Sequence, residues 1–175
     1  MVTIRHKAQR VAIFIDVQNL YHSANHLFKA RVNFGNVIKE ALSGRDPVRM
    51  FAYVVKSEGI ETERPAVGES AFFDALTELG IELRMKDLII YAGGSKKADW
   101  DVGMAVDAIR MSSSVDTIVL MTGDGDFLPL VEYLQAHGKQ VEVFAFGKSA
   151  NGKLKETADI FVDIGERPRL FLIKK

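Results

Sequence analysis

The stretch TIVLMTGDGD, residues 117–126, joins a largely apolar run to a turn that carries two carboxylates. An apolar run rich in β-branched residues is typical of a strand that is buried on both faces of a parallel sheet. Gly123 and Gly125 are expected to allow backbone angles in the turn that other residues resist. The stretch therefore predicts a central strand over 117–124 in an α/β fold, with Asp124 and Asp126 at its carboxyl end.

Other runs of the same kind predict the rest of the sheet: VAIFID (11–16), VRMFAYVV (48–55), IELRMKDLII (81–90), KQVEVFAF (139–146) and DIFVDI (159–164). Between these runs, apolar residues recur at helical spacing, which predicts helices over 20–30, 72–79, 102–109, 127–134 and 154–158. Because strands alternate with helices, we expect βαβ units and a three-layer, Rossmann-like α/β fold with a mainly parallel central sheet.

The length and composition of the chain fit one globular domain. It has 175 residues, of which 47% are hydrophobic, and it shows no internal repeat. We expect a single domain over residues 1–175, with a core at about 10–164 and short extensions at both ends. The apolar segment 167–173 predicts either an edge strand or a contact in a homodimer. The absence of cysteine excludes disulfides, cysteine-rich zinc sites and thiol catalysis.

The charges of the chain give no general affinity for nucleic acid. Lysine plus arginine and aspartate plus glutamate each number 23, so the formal net charge is zero, and any basic surface must be local. No apolar run approaches the roughly 20 residues of a membrane span, and the N-terminal segment lacks the pattern of a signal peptide. We therefore expect a cytoplasmic protein that does not enter a membrane.

Polar residues gather at the carboxyl ends of the predicted strands, which is where open α/β sheets bind ligands. Residues 16–19 follow the first strand, residues 122–126 follow the fourth, and residues 147–149 follow the fifth. A further polar segment, residues 96–101, opens a predicted helix. Four separate segments thus bring polar groups to one edge of the sheet, and three of them carry carboxylates.

These carboxylates define a candidate metal site made of Asp16, Asp101, Asp124 and Asp126. Carboxylates held close together raise one another's pKa unless a cation lies among them. Oxygen ligands without histidine or cysteine suit Mg²⁺ or Mn²⁺. One or two such ions can orient a phosphodiester and activate water, so no serine, histidine or cysteine nucleophile is needed.

Each of these residues also has a structural interpretation. Asp16 can end its strand or cap the next helix, and Asn19 can be a helix-start residue. Asp99 is favoured as an N-cap over a ligand, and Asp101 gains from the helix dipole with no function required. Asp107 can face solvent or point toward the cluster, and the sequence leaves both interpretations open.

Other signatures are absent or incomplete. The chain has no phosphate-binding loop of the G-x-x-x-x-G-K-[ST] type and no G-x-G-x-x-G after the first strand. His22 and His26 have the spacing of a zinc pair, but an ordinary helix surface is favoured because no catalytic glutamate flanks them. A phosphatase of the haloacid dehalogenase type needs Asp-x-Asp after the first strand, and Gln18 at the second position counts against one.

Three motifs together resemble the NYN domain family, specifically its LabA-like bacterial branch: IDVQNL (15–20), DWDV with AVDA (99–108) and TGDGDF with PLV (122–131). GKQVEV (138–143) and ADIF (158–161) are similar to the same family, so that the resemblance covers roughly residues 10–164. It implies a PIN-like, Rossmann-related fold, an acidic site that binds Mg²⁺ or Mn²⁺ and, as in the proven enzymes of the family, cleavage of RNA.

The resemblance implies a catalytic role for each matching residue. Asp16 is then the metal ligand after the first strand, and Asn19 is its polar neighbour. Asp101 is the helix-start carboxylate, and Asp124 and Asp126 are the pair after the fourth strand. The four aspartates hold the metal.

The leading hypothesis from the sequence is a metal-dependent endoribonuclease that acts on single-stranded RNA. Water activated by the metal attacks the phosphorus, Thr122 orients a phosphate or water, and the RNA backbone contacts are made by Lys96, Lys97 and Lys148. The alternative is a non-catalytic regulatory or RNA- or protein-binding domain that keeps the fold. The neutral net charge favours this alternative, whereas the complete acidic set favours the enzyme.

Overall fold

The computed structural model describes residues 3–56, 69–87, 89–90, 92, 96–97 and 99–174. In chain order its strands are β1 (Val11–Asp16), β2 (Ala30–Val32), β3 (Pro47–Lys56), β4 (Glu82–Asp87), β5 (Ile89–Ile90), β6 (Lys96–Lys97), β7 (Thr117–Met121), β8 (Gln140–Ala145), β9 (Ile160–Asp163) and β10 (Leu172–Lys174). Its helices are α1 (Val17–Phe28), α2 (Phe34–Leu42), α3 (Glu69–Glu78), α4 (Asp101–Ser112), α5 (Leu128–Ala136), α6 (Gly152–Thr157) and α7 (Pro168–Phe171).

Within the described residues, six strands form one parallel sheet in the order β4-β3-β1-β7-β8-β9. From β1 the chain winds outward through β3 and β4, and from β7 it winds outward through β8 and β9 on the other side. The strand order therefore reverses between β1 and β7, which is the kind of switch point at which α/β sheets bind ligands. The predicted α/β fold with a parallel central sheet is confirmed.

Helices cover both faces of this sheet and make the predicted three layers. Residues 11–15 of β1 are completely buried, and alternate side chains pack into two separate clusters, because successive residues of a strand point to opposite faces. Ile13 and Ile15 pack with residues of α1, α2 and α3. Ala12 and Phe14 pack with residues of α4, α5 and α6. The continuous apolar character of β1 thus follows from its two covered faces.

The first helix differs from the helix predicted over 20–30. α1 begins at Val17 because the side chain of Asp16 caps it, and it ends at Phe28, after which Lys29 takes a left-handed conformation with a φ of 50°. β2 and α2 follow directly. Neither of these two elements was predicted.

Two predicted strands differ from the structure by more than one residue at an end or by a division of the strand. The run 81–90 divides, because β4 joins the edge of the central sheet whereas β5 pairs antiparallel with β6. The strand predicted over 117–124 ends at Met121. The residues after Met121 therefore belong to the turn that carries the carboxylates.

The C-terminal strand β10 pairs antiparallel with β2, with Leu172 opposite Val32 and Lys174 opposite Ala30. The strand predicted over 167–173 is therefore confirmed only at its end, because Pro168–Phe171 form α7 and β10 belongs to a separate two-stranded sheet with β2. The homodimer contact stays a prediction. None of the helices in the described part of the chain has the length and apolar character that crossing a membrane requires.

A buried ion pair ties the N-terminal segment to the sheet. Glu142 on β8 is completely buried, and it accepts hydrogen bonds from Arg45 Nη1 at 2.8 Å and from Arg5 Nε at 2.9 Å. Removing one partner of a buried pair leaves an uncompensated charge, which costs several kcal/mol. Arg5 and Arg45 are therefore expected to be needed together with Glu142 for a stable fold.

Candidate metal and active site

Asp16 lies at the carboxyl end of β1 and combines two of the roles considered for it. Its Oδ1 accepts a hydrogen bond from Asn19 N at 3.1 Å, which caps α1. Its Oδ2 accepts a hydrogen bond from Thr122 Oγ1 at 3.0 Å. The capping interpretation is confirmed, and the metal-ligand role of Asp16 stays a prediction.

Asn19 and Thr122 connect the carboxyl ends of β1 and β7. The Asn19 Oδ1 atom accepts a hydrogen bond from Gly123 N at 2.9 Å. Thr122 is completely buried, and besides donating to Asp16 its hydroxyl accepts a hydrogen bond from Asp124 N at 3.3 Å. In this geometry both side chains position the loop that bears the carboxylates. The predicted contact of Thr122 with a phosphate or water stays a prediction.

Gly123 and Gly125 are required by close packing. Neither has a positive φ, so the expectation that they supply unusual backbone angles is wrong. A Cβ atom on Gly123 would lie 3.0 Å from the Cα of Ala150, and one on Gly125 would lie 2.5 Å from Asn151 Nδ2. Asn151 N also donates to Gly123 O at 2.9 Å. The carboxylate turn thus packs directly on the loop that precedes α6.

Three carboxylates meet at this edge of the sheet. Asp101, Asp124 and Asp126 each offer one oxygen, and these atoms all lie within 4.8 Å of one another. Asp101 is the first residue of α4, and Asp124 caps its own turn by accepting a hydrogen bond from Asp126 N at 2.9 Å. Asp101 and Asp124 are half-buried, whereas Asp126 is exposed. Three of the four predicted metal ligands therefore form one cluster, with Asp16 beside it.

The electrostatics of the cluster show the predicted repulsion. Burial, and after it the negative charges of Asp124, Asp99, Asp16 and Asp126 in that order, together raise the pKa of Asp101 to about 6. Burial also raises the pKa of Asp16, although the hydrogen bonds from Asn19 and Thr122 oppose this effect. An oxygen-only set of carboxylates held this close together fits a divalent cation, which would relieve their mutual repulsion.

Two acidic residues near α4 lie outside the cluster. Asp99 was expected to be the N-cap, but α4 begins at Asp101 with Trp100 at the N-cap position and without a side-chain cap. The Asp107 carboxylate accepts a hydrogen bond from Tyr53 Oη at 2.8 Å and lies 3.4 Å from Arg84 Nε. Asp107 therefore joins α4 to β3 and β4.

The lysines predicted to contact the RNA backbone lie on two different segments of the structure. Lys148 is exposed on the loop between β8 and α6, next to Ser149, whose hydroxyl bonds with that of Ser23 at 2.9 Å. This is the loop on which the carboxylate turn packs, so Lys148 lies on a segment attached to the site. Lys96 and Lys97 form β6, and their side chains fall outside the part of the chain that is described.

Several residues that shape the site were missed. Ala150 and Asn151 support the carboxylate turn, and Trp100 and Lys86 lie at the start of α4. The closely spaced glycines of the GDGD turn were the available signal for the first pair. Among the described residues, the grouping that could hold a metal contains no histidine.

The parallel α/β sheet with carboxylates gathered at its switch point matches a PIN-like fold. The comparison with family models gives the membership within this fold class. The chain belongs to the NYN domain family, whose model matches residues 10–165. The predicted family is thereby confirmed.

Individual proteins are also similar to this chain. The chain is 26% identical over 174 residues to the Low amplitude and bright protein LabA of Synechococcus elongatus, covering 91% of this chain and 86% of LabA. It is 38% identical over 74 residues to an uncharacterized protein of Methanocaldococcus jannaschii, covering 41% of this chain and 31% of that protein. A solved structure of a protein of unknown function from Vibrio parahaemolyticus is 30% identical, with a TM-score of 0.83, covering 98% of this chain and 100% of that one.

Proposed function

We propose that this protein is a metal-dependent ribonuclease that hydrolyses phosphodiester bonds of single-stranded RNA with Mg²⁺ or Mn²⁺. The observation that carries the proposal is the meeting of Asp101, Asp124 and Asp126 oxygens within 4.8 Å at the switch point of the sheet. Like charges at this separation are costly unless a cation joins them. Membership in the NYN domain family, within the PIN-like nuclease class, supports the proposal.

The residues of the site divide into ligands and positioning groups. Asp101, Asp124 and Asp126 hold the cation, and Asp16 lies beside them with its pKa raised by burial. A divalent cation in such a site polarises the phosphate and activates the attacking water. Asn19 keeps the carboxylate turn in place through Gly123 N. The catalytic part of the site is therefore acidic and needs no side-chain nucleophile.

The substrate must approach an acidic site on a protein without net positive charge. The local cation that we assign to the RNA backbone is Lys148, because its loop packs on the carboxylate turn through Ala150. One or a few such contacts give weak, salt-sensitive binding without sequence readout. Because a nuclease site of this kind needs little sequence readout, we assign single-stranded RNA as the substrate class. We expect this function in the cytoplasm.

The test is cleavage of an end-labelled, mixed-sequence single-stranded RNA with Mn²⁺ or Mg²⁺. Wild type is compared with Asp124→Asn and with the control Asp74→Asn, which makes the same chemical change on the exposed face of α3. We expect wild type and Asp74→Asn to cut in the presence of metal and Asp124→Asn to lose at least a hundredfold in rate, as for other groups that stabilise transition-state charge. Equal cutting by all three proteins contradicts the proposal.

A non-catalytic regulatory or binding domain is the second candidate function. The observation in its favour is that the side chains of Asp16 and Asp124 cap α1 and the turn Gly125–Phe127. These two carboxylates therefore have a structural role that does not need a metal. Wild type that binds Mn²⁺ in calorimetry and RNA in a filter assay, yet leaves the RNA intact, supports this candidate against the enzyme.

A further inference from the structure

We propose that Trp100 is a positioning residue that sets where Asp101, the cluster member on α4, presents its carboxylate. This inference rests on the proposed metal-dependent function. Trp100 directly precedes Asp101, and it is the single tryptophan of the chain. Its tertiary contacts replace the local interaction that usually fixes the start of a helix.

α4 is one of the helices that begin without a side-chain cap, as α5 and α7 also do. α1, α2 and α6 each begin at a side-chain cap, provided by Asp16, Asn33 and Asn151. α4 has Trp100 at the N-cap position and no side-chain cap. A missing cap leaves the first amide groups of a helix without local partners and lets the first turn fray. Asp101 is the first residue of this turn, so its position must be fixed by contacts with other parts of the chain.

Trp100 attaches the start of α4 to β3. Its indole Nε1 donates a hydrogen bond to Val54 O at 3.0 Å. Its ring meets the ring of Tyr53 edge-on, with centroids 5.5 Å apart. Val54 lies in the same strand as Tyr53, and Tyr53 pairs in register with Asp16 at the end of β1. The hydrogen bond from Trp100 to Val54 therefore fixes the start of α4 against β3, the strand that pairs with β1 at Asp16.

Lys86 on β4 makes a second attachment at the same point. Its Nζ donates to Asp99 O at 2.9 Å and lies 5.4 Å from the centroid of the Trp100 ring. A cation over an indole ring is attracted by its π electrons. Contacts with β3 and β4 thus hold both Asp99 and Trp100 in place. The backbone that leads into Asp101 is therefore fixed before the helix begins.

Gly103 shows how closely the Trp100 ring packs. A Cβ atom at Gly103 would lie 2.7 Å from Cε3 of Trp100, which is too close for the ring to keep its place. Gly103 lies within α4 and has no positive φ, so helix geometry does not require a glycine there. The glycine makes room for the indole ring, although glycine is a poor helix former.

The test uses two substitutions that disturb the ring in different ways. Trp100→Phe keeps an aromatic ring and removes the indole N–H, whereas Gly103→Ala keeps Trp100 and pushes its ring away. The control is Tyr53→Phe, which removes the hydrogen bond from Tyr53 to Asp107, also between β3 and α4, but leaves the indole bond to Val54 intact.

The first measurement is amide hydrogen exchange in the metal-free proteins, because it reports the first turn of α4 without any ligand. Met104 N donates to Trp100 O at 2.7 Å and closes this turn. We expect exchange at Met104 to become about five- to tenfold faster in Trp100→Phe and in Gly103→Ala, as loss of one hydrogen bond predicts. Unchanged exchange at Met104 in both variants overturns the inference.

The second measurement is the affinity for Mn²⁺ by calorimetry. We expect binding to weaken about five- to tenfold in Trp100→Phe and Gly103→Ala and to stay within twofold of wild type in Tyr53→Phe. A role confined to stability predicts that affinity follows the melting temperature. Wild-type affinity in Gly103→Ala, or equal weakening in Tyr53→Phe, therefore overturns the inference. A wild type that binds no Mn²⁺ overturns the proposed function instead, and the exchange at Met104 still decides whether Trp100 holds the helix start.

Discussion

Replacing Asp101 by asparagine is expected to stabilise the metal-free protein, although it removes a residue of the proposed active site. Burial and four neighbouring carboxylates raise the pKa of Asp101 from 3.8 to about 6. The folded protein therefore binds a proton on Asp101 more tightly than the unfolded chain does. The effect of Asp101 on stability is therefore most favourable below about pH 4, declines as the pH rises from about 4 to 6, and reaches its full unfavourable size above pH 6.

The size of this effect follows from the shift in the pKa. About two pKa units correspond to roughly 3 kcal/mol, and solvent screening of a half-buried group reduces this to about 1–2 kcal/mol. Asparagine carries no charge at any pH, so Asp101→Asn escapes the loss. For a chain of this length we expect its melting temperature at pH 7.5 to exceed that of wild type by about 2–6 °C.

The assay is thermal unfolding followed by circular dichroism, with EDTA and then with Mn²⁺, at pH 7.5 and at pH 4. The advantage of Asp101→Asn should largely disappear at pH 4, where the folded wild type is protonated. With Mn²⁺ at pH 7.5, wild type should gain stability, because the cation neutralises the ionised Asp101 and its neighbours. The variant should gain little, because it lacks the Asp101 carboxylate that would bind the cation. A variant that is less stable than wild type in EDTA at pH 7.5 would refute the reasoning.

Asp116→Asn provides a control with the opposite sign. The hydrogen bonds from the Arg10 side chain lower the pKa of Asp116 to about 2. Asp116 thus contributes stability that is present above pH 4 and is lost as the pH falls towards 2. Its substitution should lower the melting temperature slightly at pH 7.5, since the pair is largely exposed, and should leave the response to Mn²⁺ unchanged.

Three other substitutions test separate parts of the structure. Gly125→Ala should destabilise the protein by about 1–3 kcal/mol in urea unfolding, because its Cβ would collide with Asn151; wild-type stability would contradict this packing. Glu142→Gln should cost about 3 kcal/mol or more by the same assay, because it leaves Arg45 buried without its charged partner; a loss under 1 kcal/mol would show that the pair matters little. Lys148→Ala should weaken RNA binding a few-fold and reduce the salt dependence by about one phosphate contact, and an unchanged salt slope would remove Lys148 from the proposed interface.

The sheet could be predicted from the sequence because its strands are buried on both faces. A continuous apolar run such as 117–121 leaves few alternatives once helical segments separate it from similar runs. α2 could also have been predicted from the sequence, because Asn33 is a favourable N-cap residue and Val37, Ile38 and Ala41 recur at helical spacing on its buried face. β2 was not, because three residues carry no periodicity and β2 exists through its pairing with β10.

The carboxylates of the site could be predicted from their positions at strand and helix ends. The residues that position the neighbouring segments could not be predicted. Asp99 has the residue type of an N-cap, yet the contacts of Trp100 with β3 set the helix start one residue later than a cap at Asp99 would. The orientation of Asp107 depends on Tyr53 and Arg84, which lie on other strands. Local sequence preferences cannot show such contacts between distant segments.

The position of β1 at the centre of the sheet has a consequence for biosynthesis. One edge of β1 can pair with β3 soon after both have left the ribosome, but its other edge pairs with Thr117–Met121, more than a hundred residues further along the chain. Until then the nascent chain carries a half-sheet with an open, apolar edge, which is a surface prone to association. The carboxylates that follow β1 and β7 come together only when that edge closes, so a chain truncated before β7 lacks the acidic cluster.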